Sequence, residues 1–385
     1  MHFVSLLWFA WLAGTVATYW IAPRTWRDIW LILVSLAFLV VHAPESAVLL
    51  VLFSLLTYAL GKKGGRHAGY WHALAAAMIL SVLISYKLSV RGSPEDLVRQ
   101  ALIPMGLSYY SFRCLHYLLE RYRDTLPSHT FREFLSYLFF LPTLVVGPIH
   151  RFQPFLCDHH VKRWRSDTLS EGMERILYGY VKVAVLANFL VSTQMARLIG
   201  SIDPQAMTRI LYLEMIRGAM NLYLQFSGLS DIAIGFALLL GYRVMENFNH
   251  PYGQRNIADF WRSWHMSLTS WCRDYVYLPL IGLTRNPYLA NVMTFLAIGF
   301  WHEVSLRYVV WALYHAMGVI LWREFQTLKR KLGVPKLRRG VLATVVHGAS
   351  TVLTFHFVGF GFIIARQPTL DAMLESFRVL FLFWW

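Results

Sequence analysis

The chain has 385 residues, 57% of them hydrophobic and only 15% charged, with a mean hydropathy of +0.45, whereas a soluble domain carries about a quarter charged residues. That balance excludes a water-soluble protein and defines a polytopic membrane protein with lipid as its surroundings. The formal charge of +15 does not point to nucleic acid, because the basic residues sit in short clusters between apolar runs, as cytoplasmic membrane loops do.

Apolar stretches at 3–22, 29–43, 46–60, 72–90 and 101–119 each approach the length that crosses about 30 Å of hydrocarbon. No positively charged leader precedes the run at Phe3, so it reads as a first span and not as a cleaved signal. Arg24 and Arg27 follow the first run, and Lys62, Lys63 and Arg66 follow the third. The intervening turn from His42 to Ser46 has neither Lys nor Arg. The charge rule therefore puts the N-terminus outside, the basic loops and Arg121 to Arg132 inside, and the Ser93-Pro-Glu-Asp96 turn outside.

Between about 133 and 168 the pattern breaks at Pro142, Gly147, Pro148 and Pro154, which predicts a re-entrant hairpin or an in-plane amphipathic helix. The neighbours His159 and His160 would point about 100° apart on a helix, so they read as interfacial residues and not as a metal pair. Cys114, Cys157 and Cys272 lack metal or disulfide spacing; Cys157 lies beside the interfacial segment, where lipidation is a minor alternative to packing. No metal site is expected.

Further spans are expected at 172–198, 207–226, 229–243, 289–301, 304–323, 341–364 and 372–385, with a basic cytoplasmic loop from Lys329 to Arg339. The expectation is an all-α polytopic fold of about 11–12 transmembrane helices plus re-entrant or interfacial helices, forming one membrane-embedded domain over 1–385.

Two Trp-His pairs, Trp264-His265 and Trp301-His302, lie within this greasy half. An imidazole is costly in hydrocarbon and ordinarily faces a polar cavity, although a hydrogen-bonded packing role between helices also suits a membrane histidine. Around the first pair, Trp261, Arg262 and His265 have the spacing that would set an indole, a guanidinium and an imidazole on one helical face. Arg262 and Arg273 could hold an anionic part of a substrate, or Arg273 could pair with Asp274. Ser227, Asp231, Asn247 and Asn249 read as packing and loop hydrogen-bonders.

Several motifs in order carry a family resemblance: Pro104-Met-Gly-Leu-Ser-Tyr-Tyr-Ser-Phe112, Phe140-Leu-Pro-Thr-Leu-Val-Val-Gly-Pro-Ile-His-Arg-Phe152, Asp259-Phe-Trp-Arg-Ser-Trp-His-Met-Ser-Leu268, Gly299-Phe-Trp-His-Glu303 and Trp311-Ala-Leu-Tyr-His315. Over about 100–320 the chain resembles the membrane-bound O-acyltransferases, in the bacterial branch of the alginate O-acetylation and teichoic acid D-alanylation proteins. The resemblance implies a core enclosing a tunnel across the inner membrane, with His302 as the catalytic histidine and His265 as the second active-site residue. It further implies a cytoplasmic thioester donor (acetyl-CoA or an acyl carrier protein) as co-substrate, no bound cofactor, an extracytoplasmic hydroxyl acceptor and a partner transferase outside the membrane.

Chemically, a neutral imidazole can take a proton from an attacking hydroxyl, and burial should keep His302 uncharged. Trp261, Trp264 and Trp301 either line the passage or are ordinary packing aromatics. Acetyl transfer is the first reading and D-alanyl transfer from a carrier protein the second. A secondary transporter or flippase would require paired broken helices in two related halves, which the sequence lacks. The chain departs from the family in two places: the histidines lie only 37 residues apart, and Glu303 stands where glycine is usual.

Overall fold

The computed structural model describes residues 6–89, 104–161, 163–334 and 340–382. The expected outside turn at 93–96 and residues 335–339 of the basic loop lie outside the described residues. The described elements are all helical, and they divide into two compact units, Met1–Ala184 with Ser227–Glu246, and Val185–Phe226 with Asn247–Trp385.

Among the described residues the first unit opens with α1 (Leu6–Ile21), α2 (Arg27–His42), α3 (Pro44–Gly61), α4 (Ala68–Ser89), α5 (Leu107–Tyr122), α6 (Phe131–Leu138) and α7 (Phe152–Val161). Pro23 stops α1, and Pro44 starts α3 at the first turn, where its missing N–H costs nothing. α5 begins after Gly106, which has φ +77° and whose Cβ, were there one, would lie 2.6 Å from the Leu144 carbonyl oxygen. Only glycine serves both needs, which explains the Pro-Met-Gly-Leu element.

The proline-broken segment forms two short helices, too short to cross a membrane, linked by irregular backbone around a 3-10 turn at Leu141–Thr143. This backbone is buried, and its freed carbonyls are met by the wholly buried Arg113 of α5. The Arg113 guanidinium donates to the carbonyls of Tyr137 and Leu138, each at 3.1 Å, and to the carbonyl and hydroxyl of Thr143. α6 is opened by a capping box in which Thr130 and Glu133 satisfy each other's backbone N–H groups. Partial burial pushes the Glu133 carboxyl up, but the Thr130 N–H, the His160 ring and the Thr130 hydroxyl outweigh it and hold the group down to about 2.

His159 is buried, 3.3 Å from Asp28 and 3.1 Å from the Tyr242 hydroxyl, while His160 meets Glu133. Among the described residues no cluster of three or more His, Cys, Asp or Glu is arranged for a metal ion. Cys114 and Cys272 are buried thiols and Cys157 is exposed. Arg132 reaches Asp28 at 3.3 Å and Arg121 donates to the Gly61 carbonyl. The three loops that charge assigns to one side thus meet at one end of this unit.

α8 (Ser166–Gly200) and α9 (Met207–Leu239) follow. α8 widens into π-type turns over Val181–Met195. The separate spans expected at 207–226 and 229–243 are one 33-residue helix, α9. Ser227-Gly228 does not break it because the glycine is a packing surface: Gly228 and Gly235 of α9 meet Gly179 and Gly172 of α8, and an added Cβ at any of the four would come within 3 Å of the facing helix. Close backbone approach of this kind is how helices associate in lipid.

The second unit continues with α10 (Ile257–Ser263), α11 (Met266–Cys272), a π turn at Arg273–Tyr277, α12 (Leu278–Thr284), α13 (Pro287–His302), α14 (Leu306–Lys331), α15 (Val341–Arg366) and α16 (Leu370–Leu382). α13 starts with Asn286 as cap and Pro287 in the first turn, and α14 ends on Lys329, Arg330 and Lys331, favourable at a helix C-terminus. Gly299 lets α13 and α14 pack closely, since a Cβ there would lie 2.8 Å from the Tyr308 carbonyl oxygen. Among the described residues α3, α4, α8, α9 and α15 are long and apolar enough to span a membrane by length and composition.

Candidate active site

The two Trp-His pairs fold in opposite ways. α10, capped by the Asn256 side chain, stops at Ser263; Trp264 is extended, and His265 turns left-handed at φ 42°, ψ 54° before α11 begins. The single helical face expected for Trp261, Arg262 and His265 therefore does not form. Trp261 and His265 are buried, while the Arg262 side chain is 77% exposed and pairs with Asp259 at 2.8 Å.

What draws the chain out of the helix is the segment Asn247 to Asn249. Phe248 and Trp264 form an antiparallel bridge. The Asn249 N–H donates to the Ser263 carbonyl at 3.0 Å, and the Met266 N–H donates to the Asn247 carbonyl at 2.9 Å. The Ser267 N–H and hydroxyl both donate to Asn247 Oδ1, at 3.3 and 2.7 Å. A non-glycine residue in the left-handed region is strained and persists where its surroundings over-determine it. Here two hydrogen-bonded flanks do so.

The His265 ring meets the edge of Phe226 at 4.6 Å and Trp301 at 5.8 Å between centroids, and its Nε2 is buried without a hydrogen-bond partner among the described residues. Trp301 in turn lies 4.5 Å from His302, so one indole contacts both imidazoles. His302 closes α13 and is exposed, against the expectation of burial. The helix gives way there to extended Glu303, and the imidazole is walled by Tyr308, nearly parallel at 5.4 Å, and by Trp311 at 5.7 Å. The buried member of the pair is His265.

Glu303 is bound by Arg307, which also donates to the Gln367 carbonyl, so its carboxylate is engaged one turn into α14. Arg273 pairs with Asp274 at 2.9 Å and its side chain is exposed. Trp261 packs among Phe295, Trp311 and His315, and Trp264 among Phe248, Phe260 and Phe362. Of the three tryptophans, Trp301 alone touches both histidines. Asn247, Tyr308 and Trp311 carry much of this geometry without having been singled out as site residues. The signal for Asn247 was the dense polar run from Glu246 to His250 beside apolar helices.

In the first unit a cavity of about 240 Å³ opens beside α7, walled by Phe155, Tyr242 and Met245 with Arg151, Asp158 and Arg243. The Arg243 guanidinium is held by Glu171 and its N–H by Asp158, so the charges there are largely matched within the protein.

The site thus sets one strained, buried histidine and one exposed histidine against a shared indole within a helical chain that has several helices long and apolar enough to cross a membrane. The chain belongs to the MBOAT, or membrane-bound O-acyltransferase, family, whose family model matches residues 3–347. It is an acyltransferase and a multi-pass membrane protein. Among similar proteins, "Probable alginate O-acetylase AlgI" of Pseudomonas aeruginosa is 28% identical over 397 residues, covering 97% of this chain and 74% of the relative. "Teichoic acid D-alanyltransferase" of Bacillus subtilis is 29% identical over 279 residues, 68% of each chain. "Peptidoglycan O-acetyltransferase" of Helicobacter pylori is 24% identical over 312 residues, 72% of this chain and 56% of the relative.

Proposed function

We propose that this acyltransferase resides in the bacterial inner membrane and moves an acetyl group from a cytoplasmic thioester, acetyl-CoA or an acyl carrier protein, to a hydroxyl outside. The acceptor is a cell-surface polysaccharide or a partner transferase that relays the group. The observation that carries the reading is the juxtaposition of exposed His302 and buried His265, both against the Trp301 indole.

His302 takes the hydroxyl proton as that oxygen attacks the thioester carbonyl carbon; the C–S bond then breaks, and the departing thiolate receives the proton. His265 orients His302, donates to the developing oxyanion or contacts the acceptor, and its unpartnered Nε2 is available for any of these. Trp301 lines the approach, while Trp261 and Trp264 pack in aromatic clusters of their own. Arg262 and Arg273, both exposed, would meet an anionic donor only by leaving Asp259 and Asp274.

D-alanyl transfer from a carrier protein is the second reading, favoured by the similarity over about two thirds of this chain to a protein named for that activity. Mass spectrometry of surface glycans from cells with and without the gene separates the two, because acetyl and D-alanyl esters differ in mass. No change in either ester would refute both. The site assignment is tested by His302→Ala, expected to insert and fold normally while transfer falls by a factor on the order of 10² or more; a folded variant with full activity would refute it.

A further inference from the structure

The left-handed turn at His265 is held by backbone pairing on both flanks and by one buried side chain, that of Asn247. A histidine at φ 42° lies in the left-handed region, which is unfavourable for an L-residue with a Cβ, and neither α10 nor α11 requires it, since α10 has already ended at Ser263. Asn247 is wholly buried and grips the chain just after the histidine at three points: its carbonyl accepts from Met266, and its Oδ1 accepts from both donors of Ser267. The residue before the histidine is fixed by the bridge to Phe248. Released from this grip, residues 264–266 would be free to continue from α10 into α11 as right-handed helix, swinging the imidazole by about 100° per residue away from Trp301.

We propose that Asn247 is a positioning residue of the transfer reaction, holding His265 in the left-handed conformation that sets its imidazole against Trp301 and toward the His302 side. The inference rests on the reading of His265 as part of the transfer site. Asn247 itself touches neither substrate nor reacting atoms; it acts through the backbone of residues 266 and 267.

The experiment uses the full chain in detergent micelles with acetyl-CoA as donor and a short polysaccharide as acceptor, read in single turnovers so that slow variants remain measurable. Asn247→Leu, close in size and without an acceptor atom, is expected to lower the rate by about 10- to 100-fold, the scale of a misplaced catalytic group, with the donor KM within about twofold of the parent. Asn247→Asp keeps both acceptor lone pairs and is expected to restore most of the rate. In a His265→Gly background, where glycine accepts the left-handed turn and no imidazole remains to be positioned, Asn247→Leu is expected to change the rate by less than about twofold.

A purely structural role would instead cost the same factor in both backgrounds, and that additivity would overturn the proposal. A second measurement does not depend on turnover: the His265 ring resonances in ¹⁵N-histidine-labelled protein, assigned by their loss in His265→Gly, should move in Asn247→Leu and return in Asn247→Asp. Those of His356, bonded to Tyr212, should stay. An unmoved His265 signal would also overturn it. If instead the parent protein transfers no acyl group, the functional reading fails, while the resonances still decide whether Asn247 sets the ring.

Discussion

Replacing Arg113 with methionine tests what allows the broken segment after α6 to be buried. Methionine keeps most of the aliphatic bulk but leaves the carbonyls of Tyr137, Leu138 and Thr143 without the donor they share; the Thr143 hydroxyl keeps His150 Nδ1 at 2.9 Å. Each stranded buried acceptor costs about 1–3 kcal/mol. Removing the guanidinium also recovers its own desolvation, several kcal/mol. The net destabilisation is therefore expected at about 2–4 kcal/mol, well below the sum of the stranded groups. For a unit of this size that is a fall in Tm of roughly 5–15 °C, measured in detergent at one scan rate because membrane proteins unfold irreversibly. Arg113→Lys keeps the charge but has one nitrogen in place of a fork, so it should fall between parent and methionine. A methionine variant that melts with the parent would refute the reasoning. So would a lysine variant less stable than methionine, since burial of the charge would then outweigh satisfaction of the carbonyls.

Cysteines placed at Lys63 and Lys331 should be shielded from an impermeant thiol reagent in intact cells and react after permeabilisation, as the basic loops require; labelling of position 63 from outside would overturn the orientation. Trp301→Ala should relax selection between acetyl and butyryl donors by about 1–3 kcal/mol, the worth of a methylene or two in an apolar pocket, whereas Trp261→Ala and Trp264→Ala, cut from packed aromatic clusters, should lower stability and leave the preference unchanged. An unchanged ratio in a folded Trp301→Ala variant would remove Trp301 from the bore. Because Glu133 is held down to about 2 in the folded chain, its share of stability is fully present above the ordinary carboxylate range and is lost only as pH falls toward about 2. Thermal melts of Glu133→Gln should start lower at neutral pH and lose less on acidification than the parent, and parallel pH curves would show that the cap does not carry this linkage.

Much of the helical plan was legible because a hydrocarbon solvent leaves few choices. Long apolar runs must be helices, and the run breaks at 23, 43–44 and 285–287 coincide with prolines that cannot continue or must start one. The reading failed where glycine had two meanings. Ser227-Gly228 looked like a break and is instead the place where α8 and α9 touch, a distinction that depends on a second helix 49 residues upstream at Gly179. Arg113 was passed over for the same reason: within its own apolar run it is an isolated charge, and its purpose lies in carbonyls 24 to 30 residues further on.

The candidate site shows the limit most sharply. Two identical dipeptides in comparable apolar surroundings invite one interpretation, yet Trp301-His302 ends a helix with the imidazole exposed, whereas Trp264-His265 leaves a helix with the imidazole buried in a left-handed turn. Local propensity cannot separate them, because the φ of His265 opposes it. The difference comes from the bridge to Phe248 and the bonds to Asn247 at the first pair, whereas at the α13 terminus Glu303 runs extended to Ser305 and the cap of α14. A strained conformation maintained by a buried amide beside an indole that two imidazoles share is difficult to account for as packing, since right-handed backbone would relieve the strain. Its retention is intelligible if transfer requires the His265 ring to face Trp301.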